Sequence, residues 1–525
     1  MSLTRPALAL AAVVTALAAV TGVAAVTTPA GQSAPQATEA ERRPVQRATL
    51  VCPQPPTSDL GTTEYTAHTP PSDGTGDEGS AGLLPASSTL DNGGQDKRPE
   101  DAERQVALKQ PGTPVTYPAE GQLTALTGTA TGALAPGWTV QQTTTVTGGD
   151  GRGLYGARCT APDTGFWFAG ASTAEERHDS VHLTNPDDTS ATVDLQLYGP
   201  DGRVETESGS GINIPAHSTV PVLLSTLTPE PVTDATLHVA VRTGRVGAQV
   251  QALDEKLGGD WIAPAARASE RIVIPGIPAD ATGVRLTAFA PGEEDAELAV
   301  RLAGPDSSFT PAGQETLHVK SGMTTAVDLG DLTRGEPASL VLTPVRDSAD
   351  GPVIAAVRVL RGENASDGED GDGASDGGDG ADSGKGAREL AFIPATPPVE
   401  RRTTATGSPA APKGGEGSTL YLTAPGEAAE VRVTASPGSE GGEAVSKAYT
   451  LKKGTTTAVD DLLPDAGQGR YALTVEKVSG GPVHAARMLE RVEDDVPMFT
   501  VQALTDDGGT VTVPPAVQDL SLLTE

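Results

Sequence analysis

Basic residues are in short supply: 37 Lys and Arg face 69 Asp and Glu, for a formal charge of −32. Phosphate backbones are held by clustered Lys and Arg, so nucleic acid is disfavoured as a partner, and so is adhesion to anionic lipid. The charge reads first as solubility, and second as an attraction for divalent cations or basic partners. Aromatics are scarcer still, with Phe 6, Tyr 7 and Trp 3 among 525 residues. With a hydrophobic share of 37% they suffice for several small cores and are thin for one large one. Beyond the N-terminus no stretch sustains the 3.6-residue period of a long helix, and none repeats the apolar length of a membrane span. Cysteine occurs twice, at Cys52 and Cys159.

What is abundant is punctuation. Gly 62 and Pro 43 make up a fifth of the chain, against roughly 12% in ordinary proteins, which suits many turns between short strands. At the N-terminus Arg5 precedes an apolar run from Pro6 to Val26. Its length falls between a secretory signal core of about 7–15 residues and a span of about 20. Val23, Ala24 and Ala25 supply small residues for a signal peptidase. Cleaved as a signal or retained as a single anchor, the run exports everything after it. An even cysteine count then predicts a Cys52–Cys159 disulfide, the alternative being two buried thiols. It would close a loop of about 108 residues, worth about 4–5 kcal/mol by chain entropy.

Three copies of one strand pattern follow. The alternating strand Ala191-Thr-Val-Asp-Leu-Gln-Leu-Tyr-Gly-Pro-Asp-Gly202 recurs as Ala296-Glu-Leu-Ala-Val-Arg-Leu-Ala-Gly-Pro-Asp306 and, more loosely, as Glu430-Val-Arg-Val-Thr-Ala-Ser-Pro-Gly438. Alternation puts one face in a core and the other in water. Each copy has an apparent opening strand (Gly165–Phe168, Arg271–Pro275, Leu390–Pro394) and a Thr-rich segment beginning at His217, Gly322 and Gly454. A closing strand begins at Gly244, Gly351 and Gly481. Copies one and two lie 105 to 107 positions apart in the last two parts, and copies two and three 130 to 132 apart. The excess matches one insert of Gly, Asp, Ser and Ala from Glu363 to Lys385. The expected fold is all-β, with tandem immunoglobulin-like sandwiches after a signal or anchor helix and a disulfide-tied β region. The expected divisions are 1–30 signal or anchor, 31–47 flexible linker and 48–160 N-terminal β region with a long acidic loop at 72–103. Then come repeat 1 at 161–268, repeat 2 at 269–362, a disordered acidic insert at 363–388, and repeat 3 at 389–525 with a frayed tail.

Motifs that could carry chemistry are weak. Gly151-Arg-Gly-Leu-Tyr-Gly156 matches G-x-G-x-x-G but no helix start follows it, so it reads as a turn. Gly373-Ala-Ser-Asp-Gly377 matches G-x-S-x-G, but it lies in the acidic insert, without the strand and helix that a nucleophile elbow needs, and reads as chance. The insert's carboxylates (Asp367, Glu369, Asp370, Asp372, Asp376, Asp379, Asp382) break calcium-loop spacing at Ala374, which favours a self-repelling linker. His178, His182, His217 and His238 fall in one repeat, but on a strand the first two stand too far apart to share a zinc ion. No pair of acids is singled out for glycosidase work. Trp138, Tyr155, Phe166 and Trp167 cluster in sequence. They are the best candidates for a ligand surface, with core or interdomain packing as the preferred reading.

The layout resembles an actinobacterial exported family known only as domain-of-unknown-function family 5719. The resemblance rests on Leu50-Val-Cys-Pro53, Trp138-Thr-Val140, Cys159 followed by Phe166-Trp-Phe-Ala-Gly170, and Leu183-Thr-Asn-Pro186. The closing Gly-Pro-Val strands at Gly351 and Gly481 fit as well. It spans most of residues 45 to 525. It implies a secreted or membrane-tethered envelope protein and brings no catalytic residues. The expectation is therefore a non-enzymatic extracytoplasmic scaffold or adaptor with an envelope protein or glycan as partner and no cofactor. A carbohydrate-binding protein is the first alternative, and a hydrolase with an interdomain site the second.

Overall fold

The computed structural model describes residues 41–72, 78–86, 106–119, 123–345, 351–362, 388–410, 415–460, 468–493 and 496–514. Within them the chain is all-β, in small antiparallel sheets, with one 3-10 turn at Leu224–Thr226. No helix among the described residues is long and apolar enough to cross a membrane. The run Pro6–Val26, the insert 363–387 with its G-x-S-x-G and acidic cluster, and the last eleven residues, 515–525, lie outside the described residues.

The alternating strands behave as their patterns require. Val431 and Val433 are buried while Glu430 and Arg432 are exposed, and Leu298, Val300 and Leu302 point inward from Ala296–Ala303. In the module that begins at Gly165, one sheet runs Gly165–Ala171, Ala235–Thr243, Ala191–Gly199, with Ile212–Ile214 also on the last of these. The other runs Ser218–Leu223, Ser180–Asn185, Gly247–Asp254, Gly258–Ile262. One apolar cluster, with Phe168, Leu195 and Val239 from the first sheet and Leu183 and Val250 from the second, fills the space between them. In strand number the two sheets read 1-6-3-4 and 5-2-7-8, a short extra hairpin aside.

Four modules share this order, not three. The N-terminal region is itself one, with Arg47–Cys52, Leu126–Gly132, Gly79–Pro85 and Val106–Leu108 in one sheet. Val115–Ala119, Gly61–His68, Thr139–Val146 and Gly153–Arg158 form the other. Strand Gly79–Pro85 thus lies inside the loop expected at 72–103. The strand expected to open the last repeat is a second departure. Glu389–Pro394 pairs with Ile354–Arg361, Arg361 opposite Glu389, and so closes the preceding module across the insert. The last module opens at Arg402–Pro409 and closes with Val496–Leu504 on His484–Glu493. Within the expected tether at 31–47, Glu41–Pro44 is a strand; it pairs with Thr510–Val513 in a separate two-stranded sheet, in a unit distinct from residues 44–509.

The modules do not follow one another as a row. Each opening strand packs on the strand 2–strand 7 sheet of the next module: Gly165–Ala171 on Ala281–Phe289 and Ile354–Arg361, Ile272–Ile277 on Gly417–Ala424 and His484–Glu493. The fourth returns to the first, Arg402–Pro409 lying on Gly61–His68 and Thr139–Val146, and Arg47–Cys52 reaches Gly247–Asp254 of the second. Three opening strands bulge at a glycine, Gly170, Gly276 and Gly407, with φ of 93°, 89° and 86°. That region favours glycine, and at Gly276 the next module also leaves no room. A side chain would point at Phe392 and Thr287, at Ala486 and Tyr421, or at Gln141 and Thr66. Ion pairs bridge the same joints: Arg285–Asp234 at 2.7 Å between modules two and three, Arg361–Glu490 at 3.1 Å between three and four, and Arg470–Glu64 at 2.7 Å between four and one.

Candidate functional site

A cycle of four modules has an axis, and the closing strands form it. Gly153–Arg158, Gly258–Ile262, Glu389–Pro394 and Val496–Leu504 pack side by side, each on the next and the last on the first. They run in one direction: Leu154 meets Met498, Gly156 meets Thr500, and Arg158 reaches the Thr505 carbonyl. Glycine permits the close approach. A side chain at Gly259 would strike the Tyr155 hydroxyl, and one at Gly258 the Arg152 carbonyl. The G-x-G-x-x-G match thus runs from a turn into a closing strand, with no helix for a dinucleotide.

The middle of the axis is polar and dry. Asp260 is 1% exposed. Its carboxyl accepts hydrogen bonds from the Thr500 hydroxyl at 3.1 Å, the Gly156 amide at 3.4 Å and the Phe392 amide, so one side chain of module two bonds to modules one, three and four. Burial outweighs these donors and pushes its pKa well above the usual carboxylate range. Nearby Glu389 touches the Arg152 guanidinium at 2.7 Å with its own side chain 1% exposed. Burial outweighs Arg152 and raises the Glu389 carboxyl to about 8. Arg487, fully buried, donates to the Thr406 carbonyl at 2.6 Å, to Ser408 at 3.1 Å and to the Gln502 side-chain oxygen.

Titration of Glu389 sets a pH dependence. Between its usual value of 4.5 and its folded value of about 8, the folded state keeps a proton that the unfolded chain releases. Stability therefore falls as pH rises through that window, by about 2 kcal/mol between pH 6.5 and 8.5. Buried His68, His182 and His484, lowered to about 3, 4 and 4 by desolvation, act on the other side. They cost stability as pH falls below 6.5. Urea unfolding of the native chain and Glu389→Gln at pH 6.5 and 8.5 checks this: the native slope is expected, and the variant should lose about 2 kcal/mol of it. An unchanged slope in the variant contradicts the assignment.

At the C-terminal ends of the closing strands the axis opens into a cavity of about 300 Å³, the lower end of the range for small-ligand pockets, about 300–1,000 Å³. Its wall includes Arg158, Phe166, Trp167, Trp261, Pro394 and Gln502, from all four modules. Of the four aromatic candidates the structure brings Phe166 and Trp167 here. Trp138 is in the first module's core, and Tyr155 is buried on the axis with its hydroxyl donating to the Gly151 carbonyl at 2.9 Å. Trp167 is half-buried, its ring stacked on His238 at 3.8 Å with Phe289 at 5.3 Å in the next module. The histidines disperse: His178 meets Glu255 at 3.1 Å, His217 meets Asp188 at 2.6 Å, and His182 lies edge-on to Trp261. Cys52 and Cys159 form the expected disulfide, tying the first opening strand to the residue after the first closing strand. The bond hints at an oxidising, extracytoplasmic compartment.

A family model matches residues 115–461. The chain belongs to a family of unknown function, DUF5719. The match takes in Gly156, Asp260 and Phe392 of the axis in this DUF5719 member and ends before Thr500. No curated protein matches the chain.

Proposed function

We propose that this DUF5719 member is a non-enzymatic extracytoplasmic scaffold of the cell envelope, built of four immunoglobulin-like sandwiches. The apolar run Pro6–Val26 serves as its export signal or single anchor. One observation carries the reading: modules of one topology close around a shared axis, which leaves equivalent outward loops and sheet edges as repeated docking surfaces on a fixed frame. The disulfide supports the compartment.

Fractionation with thiol labelling tests the reading. The chain should be recovered with the envelope or medium, unlabelled until reduced, and cross-linking of intact cells should trap the same envelope protein or glycan in each repeat. Recovery from the cytosol with two free thiols contradicts it.

A further inference from the structure

Among the described residues, two in the axial cavity's wall hold buried donors without partners. Gln502 is oriented by Arg487, which donates to its side-chain oxygen and so turns the amide N–H₂ away toward Gly156, also in the wall. That amide nitrogen is buried and has no partner among the described residues. The indole N–H of Trp261 is likewise buried and unpartnered. Both residues are more than nine-tenths buried. Buried donors without acceptors are rare in native proteins and call for an occupant.

The Arg158 guanidinium stands in the same wall, bonded to Thr505 at 3.4 and 3.5 Å and within electrostatic reach of Asp506 and Asp507, and Arg267 is exposed at the rim. These groups only donate, and a carboxylate only accepts. A sugar would need acceptors for its hydroxyls. The acid in the wall, Asp163, is exposed and already accepts from the Thr164 amide at 2.7 Å. A sugar also needs an open aromatic face, and one face of Trp167 is covered by His238. Phe166 and Pro394 leave apolar surface beside the donors.

We propose that the axial cavity binds a small organic acid, its carboxylate on Arg158 and the neighbouring N–H donors and its apolar part against Phe166 and Pro394. Binding here and the scaffold role stand or fall separately, because one is read with purified chain and the other in cells. The surrounding charge of −32 opposes any anion, so the measurement belongs at 0.15 M salt, where a Debye length of about 8 Å leaves the local groups in control.

The full chain is titrated with benzoate, phenylacetate and cinnamate, with phenylacetamide and methyl glucoside as neutral probes. Calorimetry and the fluorescence of Trp261 and Trp167 give the readouts. At least one acid should bind saturably and at least tenfold tighter than either neutral probe. Arg158→Gln should weaken it tenfold or more, and Trp261→Phe, which keeps the ring and removes the N–H, about threefold. If Arg158→Gln does not fold, the preference for acid over amide and the Trp261→Phe effect decide. No preference for any acid, or methyl glucoside binding as tightly, overturns the proposal.

Discussion

Asp260→Ala lowers stability by about 5 kcal/mol, because removing one carboxyl strands donors from three modules at once. The Gly156 amide, the Phe392 amide and the Thr500 hydroxyl all end on Asp260, in a region closed to water. Each buried donor left without an acceptor costs about 1–3 kcal/mol, and the hole left by the side chain adds to that. Asp260→Asn should be far milder. The native carboxyl is already pushed toward its neutral form, and an amide retains the size and one acceptor oxygen. Urea unfolding at pH 6.5 of both variants checks the contrast. A loss below about 1 kcal/mol for the alanine variant would show that the donors find other partners.

Removing the disulfide by Cys52→Ala with Cys159→Ala should cost about 4 kcal/mol. The bond joins residues 107 apart, so its loss frees a long loop in the unfolded chain, worth about 4–5 kcal/mol in the chain-entropy account. The native geometry asks for little else: the Val51 and Thr160 backbones already bond to each other at 2.8 and 3.0 Å beside the bridge. Reduction of the native protein should give the same loss as the double variant. Equal midpoints with and without reductant would contradict it.

Much of the fold was legible in period-two burial and in the repeat spacing. Strands with one dry face, such as Ala191–Gly199 and Ala429–Ala435, announce themselves. The first module was expected as a β region but not as a copy of the repeat, because its strand Thr139–Val146 is covered on both sides. Thr139–Val146 is nearly all buried, with Gln141, Gln142 and Thr144 inside, since Arg402–Pro409 of the last module lies across it. Alternation vanishes in such a strand. Glu389–Pro394 misled for the same reason: buried at every position on the axis, it looks like any apolar opening strand. A usable signal was present, since the bulge glycines Gly170, Gly276 and Gly407 stand 106 and 131 positions apart, the repeat spacing itself. The axial site had no such signal. Asp260 and Thr500 are 240 residues apart, and no periodicity reports which modules close on which. Two of the four aromatic candidates, Phe166 and Trp167, stand in the cavity wall, while Trp138 and Tyr155 belong to packing.

The central claim is closure of four modules around one axis, and small-angle X-ray scattering on residues 44–509 tests it most directly. A compact chain of that length has a radius of gyration of about 23 Å, and the closed cycle should give a value near it with a single-peaked distance distribution. A row of modules would give roughly twice that radius with an extended tail, and such a curve would contradict the account.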